Sequence, residues 1–331
     1  MKAIIQDRYG SPDVLRLADI ERPVPRPDEV LVRVAASSVN ASDWHSMRGD
    51  PYIGRLIAPG FTLFNGPRQP VRGRDFAGTV VAVGAEITDL AIGDEVYGDL
   101  GAAEGGFAEY VRVPARQIAR KPANLTFEQA AAMPLAASTA LTGVRDHGRV
   151  GVGTKLLVNG ASGGVGPFAV QIGKLLGAVV TAVCRTRNKE MIRALGADEV
   201  IDYTVADFTA GPARYDVVLD LVGNRTLADA RRALTPTGTL VLGGFGVSRG
   251  GSVLGPMSLL AKAQITARFV EHRIVLLAAP PDRAALDTLR DWAEEGLIRP
   301  VVDRTYPLKD VPEAIRYLET EHARAKVVIT V

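Results

Sequence analysis

A single cysteine, Cys184, stands in a chain of 331 residues. One thiol cannot close an intrachain disulfide, and it excludes any cysteine-built zinc site. Histidine is also scarce: His45, His147, His272 and His322 are scattered without metal-ligand spacing. Charge of one sign is not in excess. Lys+Arg is 39 and Asp+Glu 37, a net +2, so neither nucleic acid nor an anionic membrane is an expected partner. Long apolar runs are missing too. The uncharged stretch Leu156 to Gly173 carries Gly, Asn, Ser and Gln and does not read as a membrane span. The opening residues, MKAIIQDRYG, contain no cleavable apolar segment and pass at once into alternation, so a soluble, cytoplasmic protein is expected. Several catalytic signatures are absent. No Tyr has a Lys four residues later, and there is neither a Gly-x-x-x-x-Gly-Lys-[Ser/Thr] loop nor a His-Glu-x-x-His helix. What is abundant is glycine, 34 residues, about a tenth of the chain against a usual share near 7%.

The first 120 or so residues read as short strands, at Ala3–Gln6, Val30–Ala35, Gly78–Val83 and Phe107–Val113, with a short helix at Ser42–Arg48. The prolines 23, 25 and 27 mark a turn-rich connection. Near Thr126 the texture changes. Thr126 with Gln129 forms a capping-box pattern, followed by an Ala-rich helix broken at Pro134 and a second helix to about His147. From Lys155 strands and helices alternate. The strands are Leu156–Asn159, Val179–Val183, Glu199–Asp202, Val217–Leu221 and Leu240–Gly243. The helices are Val165–Leu176, Lys189–Leu195 and Thr226–Leu234. This alternation predicts an α/β, doubly wound parallel sheet. Gly177 and Gly196 sit where a glycine ends a helix. A strand near Ile274–Ala279, a helix at Arg283–Glu295, a short extended piece at Val301–Val302, a helix at Val311–Leu318 and a last strand Lys326–Val331 follow. They are too little for a third domain and are expected to complete the first. The expected division is therefore residues 1–125 with 276–331, and 126–275.

The sharpest motif is Asn159-Gly160-Ala161-Ser162-Gly163-Gly164-Val165-Gly166, between an expected strand and an expected helix. Glycines there let a pyrophosphate approach the backbone, while the amides of Ser162, Gly163, Gly164 and Val165 receive its charge. Gly166 allows the helix to pack closely. The same residues also spell Gly160-x-Ser162-x-Gly164, a serine-hydrolase elbow, for which Asp220 with His272 or His322 would complete a triad. A glycine turn without a ligand is the third reading. Beyond the next strand the chain runs Arg185-Thr186-Arg187-Asn188-Lys189 with no carboxylate where an NAD site would carry one. Guanidinium groups match a 2′-phosphate in charge and geometry, so NADP(H) is the expected cofactor. A solvated, basic helix start is the alternative.

The ordered motifs resemble those of the medium-chain dehydrogenase/reductases, in particular the zinc-independent quinone oxidoreductase-like branch. Those that carry the likeness are Val39-Asn40-Ala41-Ser42-Asp43, Gly73-Arg74-Asp75-Phe76-Ala77-Gly78, Gly93-Asp94-Glu95-Val96-Tyr97-Gly98, Gly106-Phe107-Ala108-Glu109-Tyr110, the glycine loop with Ala169-x-Gln171, and His322-Ala323-Arg324-Ala325-Lys326-Val327-Val328. The resemblance spans essentially the whole chain. It implies a GroES-like β-barrel domain, a Rossmann domain, a cofactor between them and a homodimer. Asn40 and Arg74 stand where zinc-dependent relatives place ligands, so metal catalysis is not expected.

By the same resemblance, Arg185, Thr186, Arg187 and Tyr203 serve the 2′-phosphate and Thr139 the nicotinamide, while Arg324 and Lys326 provide phosphate contacts from the tail. Gly223, Gly243 and Gly244 close the strand ends where open sheets bind ligands. Tyr52 is the candidate for orienting or protonating the substrate, with packing as its bland alternative. Asn40 is a candidate partner of the nicotinamide ribose or the substrate carbonyl. The implied activity is NADPH-dependent hydride transfer to a small apolar quinone or α,β-unsaturated carbonyl. The alternatives are a zinc-free NADP(H)-dependent alcohol/aldehyde oxidoreductase, a serine hydrolase using Ser162, and a non-catalytic NADPH-binding protein. The stretches Tyr52–Phe64 and Gly246–Leu260 are expected to wall the substrate.

Overall fold

The computed structural model describes residues 1–50, 52, 66–67, 69–212, 214–244, 257–320 and 323–331. The two expected substrate walls therefore lie outside the described residues, apart from Tyr52 and the start of a helix at Met257–Thr266. The chain forms two compact units, residues 1–138 with 280–331, and residues 139–279. The division falls within a helix, Pro134–Leu141.

The first unit opens with β1 (Lys2–Gln6) and β2 (Leu15–Asp19), paired antiparallel. β3 (Glu29–Val39) is its organising strand. It pairs along its length with β4 (Asp75–Val83), and its first half also pairs with β6 (Tyr110–Pro114). β4 continues to β5 (Glu95–Asp99), and β5 to β7 (Ile118–Arg120). Alternation explains the core. Val30, Val32 and Val34 of β3 point to one side, where Phe76, Val80, Val96, Leu100, Val111, Val113 and Ile118 join them out of water. The strand expected from Phe107 begins only at Tyr110. The backbone of Phe107 is used otherwise: its N–H donates to the Arg72 carbonyl and its carbonyl accepts from Ile4.

Helix α1 (Ala41–Arg48) starts at Asn40 and stops at Gly49, whose φ of 59° suits a residue without Cβ. Helix α2 (Phe127–Ala131) carries the expected capping box. Thr126 Oγ1 accepts from Gln129 N at 3.3 Å, and Gln129 Oε1 accepts from Thr126 N at 3.0 Å. After the break at Pro134 the second helix is α3 (Pro134–Leu141), followed by a wider π turn through His147.

The second unit is a six-stranded, all-parallel sheet. Its strands are β8 (Lys155–Asn159), β9 (Val179–Cys184), β10 (Glu199–Asp202), β11 (Tyr215–Asp220), β12 (Leu234–Leu242) and β13 (Arg273–Leu276), in the order β10-β9-β8-β11-β12-β13. The order reverses at β8, as in a doubly wound sheet. Helices α4 (Gly166–Leu175), α5 (Lys189–Ala194), α6 (Leu227–Arg232) and α7 (Met257–Thr266) connect the strands. Gly177 and Gly196 end their helices with φ of 84° and 106°. Some expected boundaries move: the strand expected at Leu240–Gly243 begins at Leu234, and the one expected at Val217–Leu221 begins at Tyr215. Helix α6 ends at Arg232 instead of Leu234, because Leu234 pairs with Tyr215 in the sheet. The core holds Leu157, Val183, Val218, Leu240 and Leu242 with Phe208 and Ala230.

The tail, with α8 (Arg283–Glu294), β14 (Val302–Pro307), α9 (Val311–Thr320) and β15 (Lys326–Thr330), belongs to the first unit. β15 lies antiparallel on β3, with Val327 opposite Val39. α9 buries Val311, Ala314 and Ile315 against Ile4, Leu15 and Met47. No helix among the described residues is long and apolar enough to cross a membrane.

Candidate functional site

Parallel pairing lines up the carboxyl ends of the second unit's strands. Asn159 stands opposite Val183 and Asp220, Asp220 opposite Leu242, and Cys184 opposite Asp202. The glycine loop leaves this edge from β8. Gly160 turns it with φ 86°, and the Gly163 N–H closes on the Gly160 carbonyl at 3.1 Å. The Ala161 N–H donates to the Val183 carbonyl at 3.0 Å, tying the loop to β9. A Cβ on Gly166 would lie 2.4 Å from the Ala161 and Gly160 carbonyls, so only glycine lets α4 begin there. A Cβ on Gly163 would meet nothing nearer than the Gly160 carbonyl at 3.5 Å, so that face of the loop is open. No side chain caps α4 at Val165. Pro167 occupies the first turn, where it lacks no needed donor. Ser162, Gly163, Gly164 and Val165 are all half-buried.

Arg185, Thr186 and Arg187 follow β9 and are exposed. Two contacts here were invisible in the linear chain. Asn188 Nδ2 donates to Ser162 Oγ at 2.9 Å, linking the basic turn to the glycine loop. Thr186 Oγ1 donates to Asp202 Oδ2 at 2.5 Å. The sequence shows no carboxylate at the end of the second strand, yet β10 supplies one from the side. Hydrogen bonds from Thr186 and Thr204 hold Asp202 down at about 2, so it is ionised throughout the working range. The Thr186 hydroxyl is therefore donated to a carboxylate. Tyr203 lies next to Asp202, with its ring exposed and its N–H on the Cys184 carbonyl at 3.2 Å. Thr139 is half-buried at the start of this unit.

Gly223 and Gly243 with Gly244 close the ends of β11 and β12. Gly223 has φ 71°, and a Cβ on Gly244 would lie 2.1 Å from Val222 N, so both turns need glycine. Asp220 gathers them. Its Oδ1 accepts from Asn159 Nδ2, Val222 N and Gly223 N, and its carbonyl accepts from Gly243 N and Gly244 N. An acid so committed does not serve a Ser162 triad. His272 Nδ1 instead faces Arg231 Nε at 3.4 Å, and His322 lies outside the described residues.

Four expected site residues belong to the first unit, and the structure brings two of them together. β3 places Ser38 opposite Asp75, and β15 reaches Lys326 alongside. Lys326 Nζ donates to Asn40 Oδ1 at 2.5 Å and lies 3.3 Å from both Asp75 Oδ2 and the Val39 carbonyl. Asn40 Nδ2 donates to the same Asp75 oxygen at 2.9 Å, as does Ser38 Oγ at 2.7 Å. The Leu135 N–H at the head of α3 takes Asp75 Oδ1 at 2.9 Å. Lys326 is 2% and Asp75 0% exposed. The ammonium expected to reach a phosphate is thus placed in a buried network with all three donors engaged. The Asn40 carboxamide, expected to face cofactor or substrate, is occupied on both ends. Arg324 is exposed, with its N–H on Asp303 Oδ2 at 3.0 Å. Tyr52 is 43% exposed.

Around the network lie further buried charges. Arg74, at the zinc-ligand-equivalent position, makes a forked pair with Asp99 at 2.9 and 2.6 Å. Arg72 pairs with Glu104 at 2.9 Å. Burial raises Glu104 to about 7 and Asp43 to about 6, and lowers His45 to about 4. Sequence reasoning missed the contacts of Asp202 and Asn188, and weighed Asp220 only as the acid of a Ser162 triad. The available signal was an acid or amide at the end of an otherwise apolar strand or at a helix start.

The comparisons agree with this architecture. Residues 26–123 match the family described as alcohol dehydrogenase GroES-like domain, and residues 195–329 the family described as zinc-binding dehydrogenase. The chain is 36% identical to 2-methylene-furan-3-one reductase of Solanum lycopersicum, over 99% of its own length and 79% of that protein's. It is 34% identical, with the same coverage, to the chloroplastic NADPH-dependent alkenal/one oxidoreductase of Arabidopsis thaliana. Among solved structures it matches the quinone oxidoreductase from Coxiella burnetii with a TM-score of 0.85 and 30% identity, covering 100% of this chain and 99% of that one. The chain belongs to the medium-chain dehydrogenase/reductase superfamily, in its zinc-independent, quinone oxidoreductase-like branch.

Proposed function

We propose that the protein is an NADP(H)-dependent, zinc-independent reductase of quinones or α,β-unsaturated carbonyls. The observation that carries this reading is the open, uncapped glycine loop beside two exposed arginines, Arg185 and Arg187, in one unit. These residues fit NADP(H). The Gly163 face leaves the space a pyrophosphate needs, the first amides of α4 suit its charge, and the guanidinium groups suit a 2′-phosphate. When bound, the cofactor supplies a hydride to the electrophilic carbon of the substrate. Ser162 keeps a hydroxyl proton for an anionic oxygen, because its own oxygen accepts from Asn188. Tyr52 is read as the hydroxyl that orients the substrate oxygen and donates to it as charge develops there. Reduction of a conjugated carbonyl needs no Lewis acid, since conjugation delocalises that charge. Asn40, Asp75 and Lys326 enter as a fixed support instead of mobile donors. A cytoplasmic homodimer completes the reading.

Anaerobic NADPH oxidation against a panel of quinones and enones, with NADH in parallel, tests it. Turnover with NADPH preferred is expected. Tight NADPH binding without turnover on any member favours the binding-protein reading. No NADPH binding removes the basis of the proposal.

A further inference from the structure

Asp220 is an acid at the end of a strand whose preceding residues, Val217, Val218 and Leu219, are buried and apolar. It is itself only 2% exposed. A carboxylate in such a place is costly unless hydrogen bonds compensate it. Here a single oxygen, Oδ1, accepts three N–H groups: Asn159 Nδ2 at 2.8 Å, Gly223 N at 2.9 Å and Val222 N at 3.0 Å. The Asp220 carbonyl accepts two more, Gly243 N and Gly244 N, each at 2.8 Å. The side chain thus governs the turn after β11, and the main chain governs the turn after β12. The turns also touch directly, since a Cβ on Gly244 would meet Val222 N at 2.1 Å. Asn159, the last residue of β8 and the first of the glycine loop motif, is drawn into the same knot. Its Nδ2 also reaches Asn224 Oδ1 at 3.1 Å.

We propose that Asp220 is the positioning residue of the dinucleotide site. It holds the two strand-end turns and the root of the glycine loop as one preformed platform. The proposal rests on the dinucleotide reading of that loop. Asp220 touches no ligand in this role; it acts through Gly223, Gly243, Gly244 and Asn159. Without its acceptor, two turn amides and a carboxamide lose their partner and the platform must be ordered by the ligand, which weakens binding. A carboxamide at this position retains the acceptor oxygen, so Asp220→Asn is the conservative control.

The test compares the wild-type chain with Asp220→Ala and Asp220→Asn. Two quantities are read: the NADPH dissociation constant by fluorescence titration, and amide hydrogen exchange at Val222 and Gly223 without ligand. The Ala variant is expected to bind NADPH at least about tenfold more weakly, because three donors lose a shared acceptor. Exchange at the two amides should accelerate while Leu156–Val158 in β8 stays protected. The Asn variant should stay within about threefold of wild type, as its oxygen still accepts. An Ala variant that binds NADPH as tightly as wild type overturns the role of Asp220. So does an Asn variant as impaired as the Ala variant. Should the Ala variant not fold, the Asn variant decides: wild-type affinity supports the role, and a tenfold loss overturns it. A wild-type chain that binds no NADPH overturns the dinucleotide reading itself, and the role with it.

Discussion

The glycine loop of the second unit and the Asn40–Asp75–Lys326 network of the first are polar constellations built on opposite terms. The loop is open. No side chain caps the helix that follows it, its Gly163 face is unfilled, and its neighbours Arg185 and Arg187 are exposed. The network is closed, with an ammonium, a carboxylate and a carboxamide buried and mutually satisfied. An unfilled glycine face beside exposed basic side chains is suited to a ligand. A closed network is suited to holding strands and helices in register. The sequence marks Asn40 and Lys326, like the loop, as candidates for cofactor or substrate, and the structure places those two in the buried network.

The largest expected effect falls on the closed side. Lys326→Met leaves Asp75 buried without its cation and should destabilise the protein by about 3–5 kcal/mol. Denaturant unfolding checks this, and a loss under 1 kcal/mol would break the contrast. On the open side, Gly166→Ala forces a methyl into the Ala161 carbonyl. Its expected cost in the same unfolding measurement is about 1–3 kcal/mol.

His45 in α1 probes burial next to the network. Its folded value is about 4, below the usual 6.5. Between those values only the unfolded chain takes up the proton, so this histidine's contribution to stability is full above 6.5 and is lost as pH falls towards 4. Relative to His45→Gln, wild type should lose on the order of 1–2 kcal/mol between pH 7 and pH 5. Parallel pH dependence in the two proteins would show that the imidazole is not shielded.

Replacing Arg185 and Arg187 by Ala should weaken NADPH binding about tenfold, roughly 1.4 kcal/mol, and leave NADH nearly unchanged. Equal effects on both cofactors would remove the 2′-phosphate assignment. The smallest stability effect belongs to Gly163→Ala. Its methyl enters open space, so the melting temperature should hold to within what about 0.5 kcal/mol allows. NADPH affinity should nevertheless fall, because the methyl occupies the ligand's side. Unchanged affinity would mean that the open face is not the cradle.

Much of the fold was legible because it is local. Thr126 with Gln129, and Gly177 and Gly196 after their helices, each act within a few residues, and each behaves as its sequence suggests. Alternating apolar strands and amphipathic helices gave the parallel sheet for the same reason. Where a distant partner intervened, local reading slipped. Leu234 left its helix to pair with Tyr215, and Phe107 stayed outside a regular strand because Arg72 and Ile4 use its backbone. The candidate site divides likewise. Ser162 to Gly166 was recognisable from spacing alone. The roles of Asp202, Asn188 and Asp220 were not, since each depends on a neighbour across the sheet edge.

By itself the sequence determined the order of elements, the glycine loop with its basic sequel, and the absence of cysteine ligands. These are properties of residues adjacent in the chain, governed by backbone conformation and side-chain type. Only the tertiary structure decided which polar groups are spent and which remain on offer. Lys326 and Asn40 are 286 residues apart, and the register of β15 on β3 brings them within 2.5 Å. Burial then removes water as a competing partner, so the ammonium, carboxylate and carboxamide must satisfy one another. At the glycine loop no side chain caps α4, and the space beside Gly163 stays open.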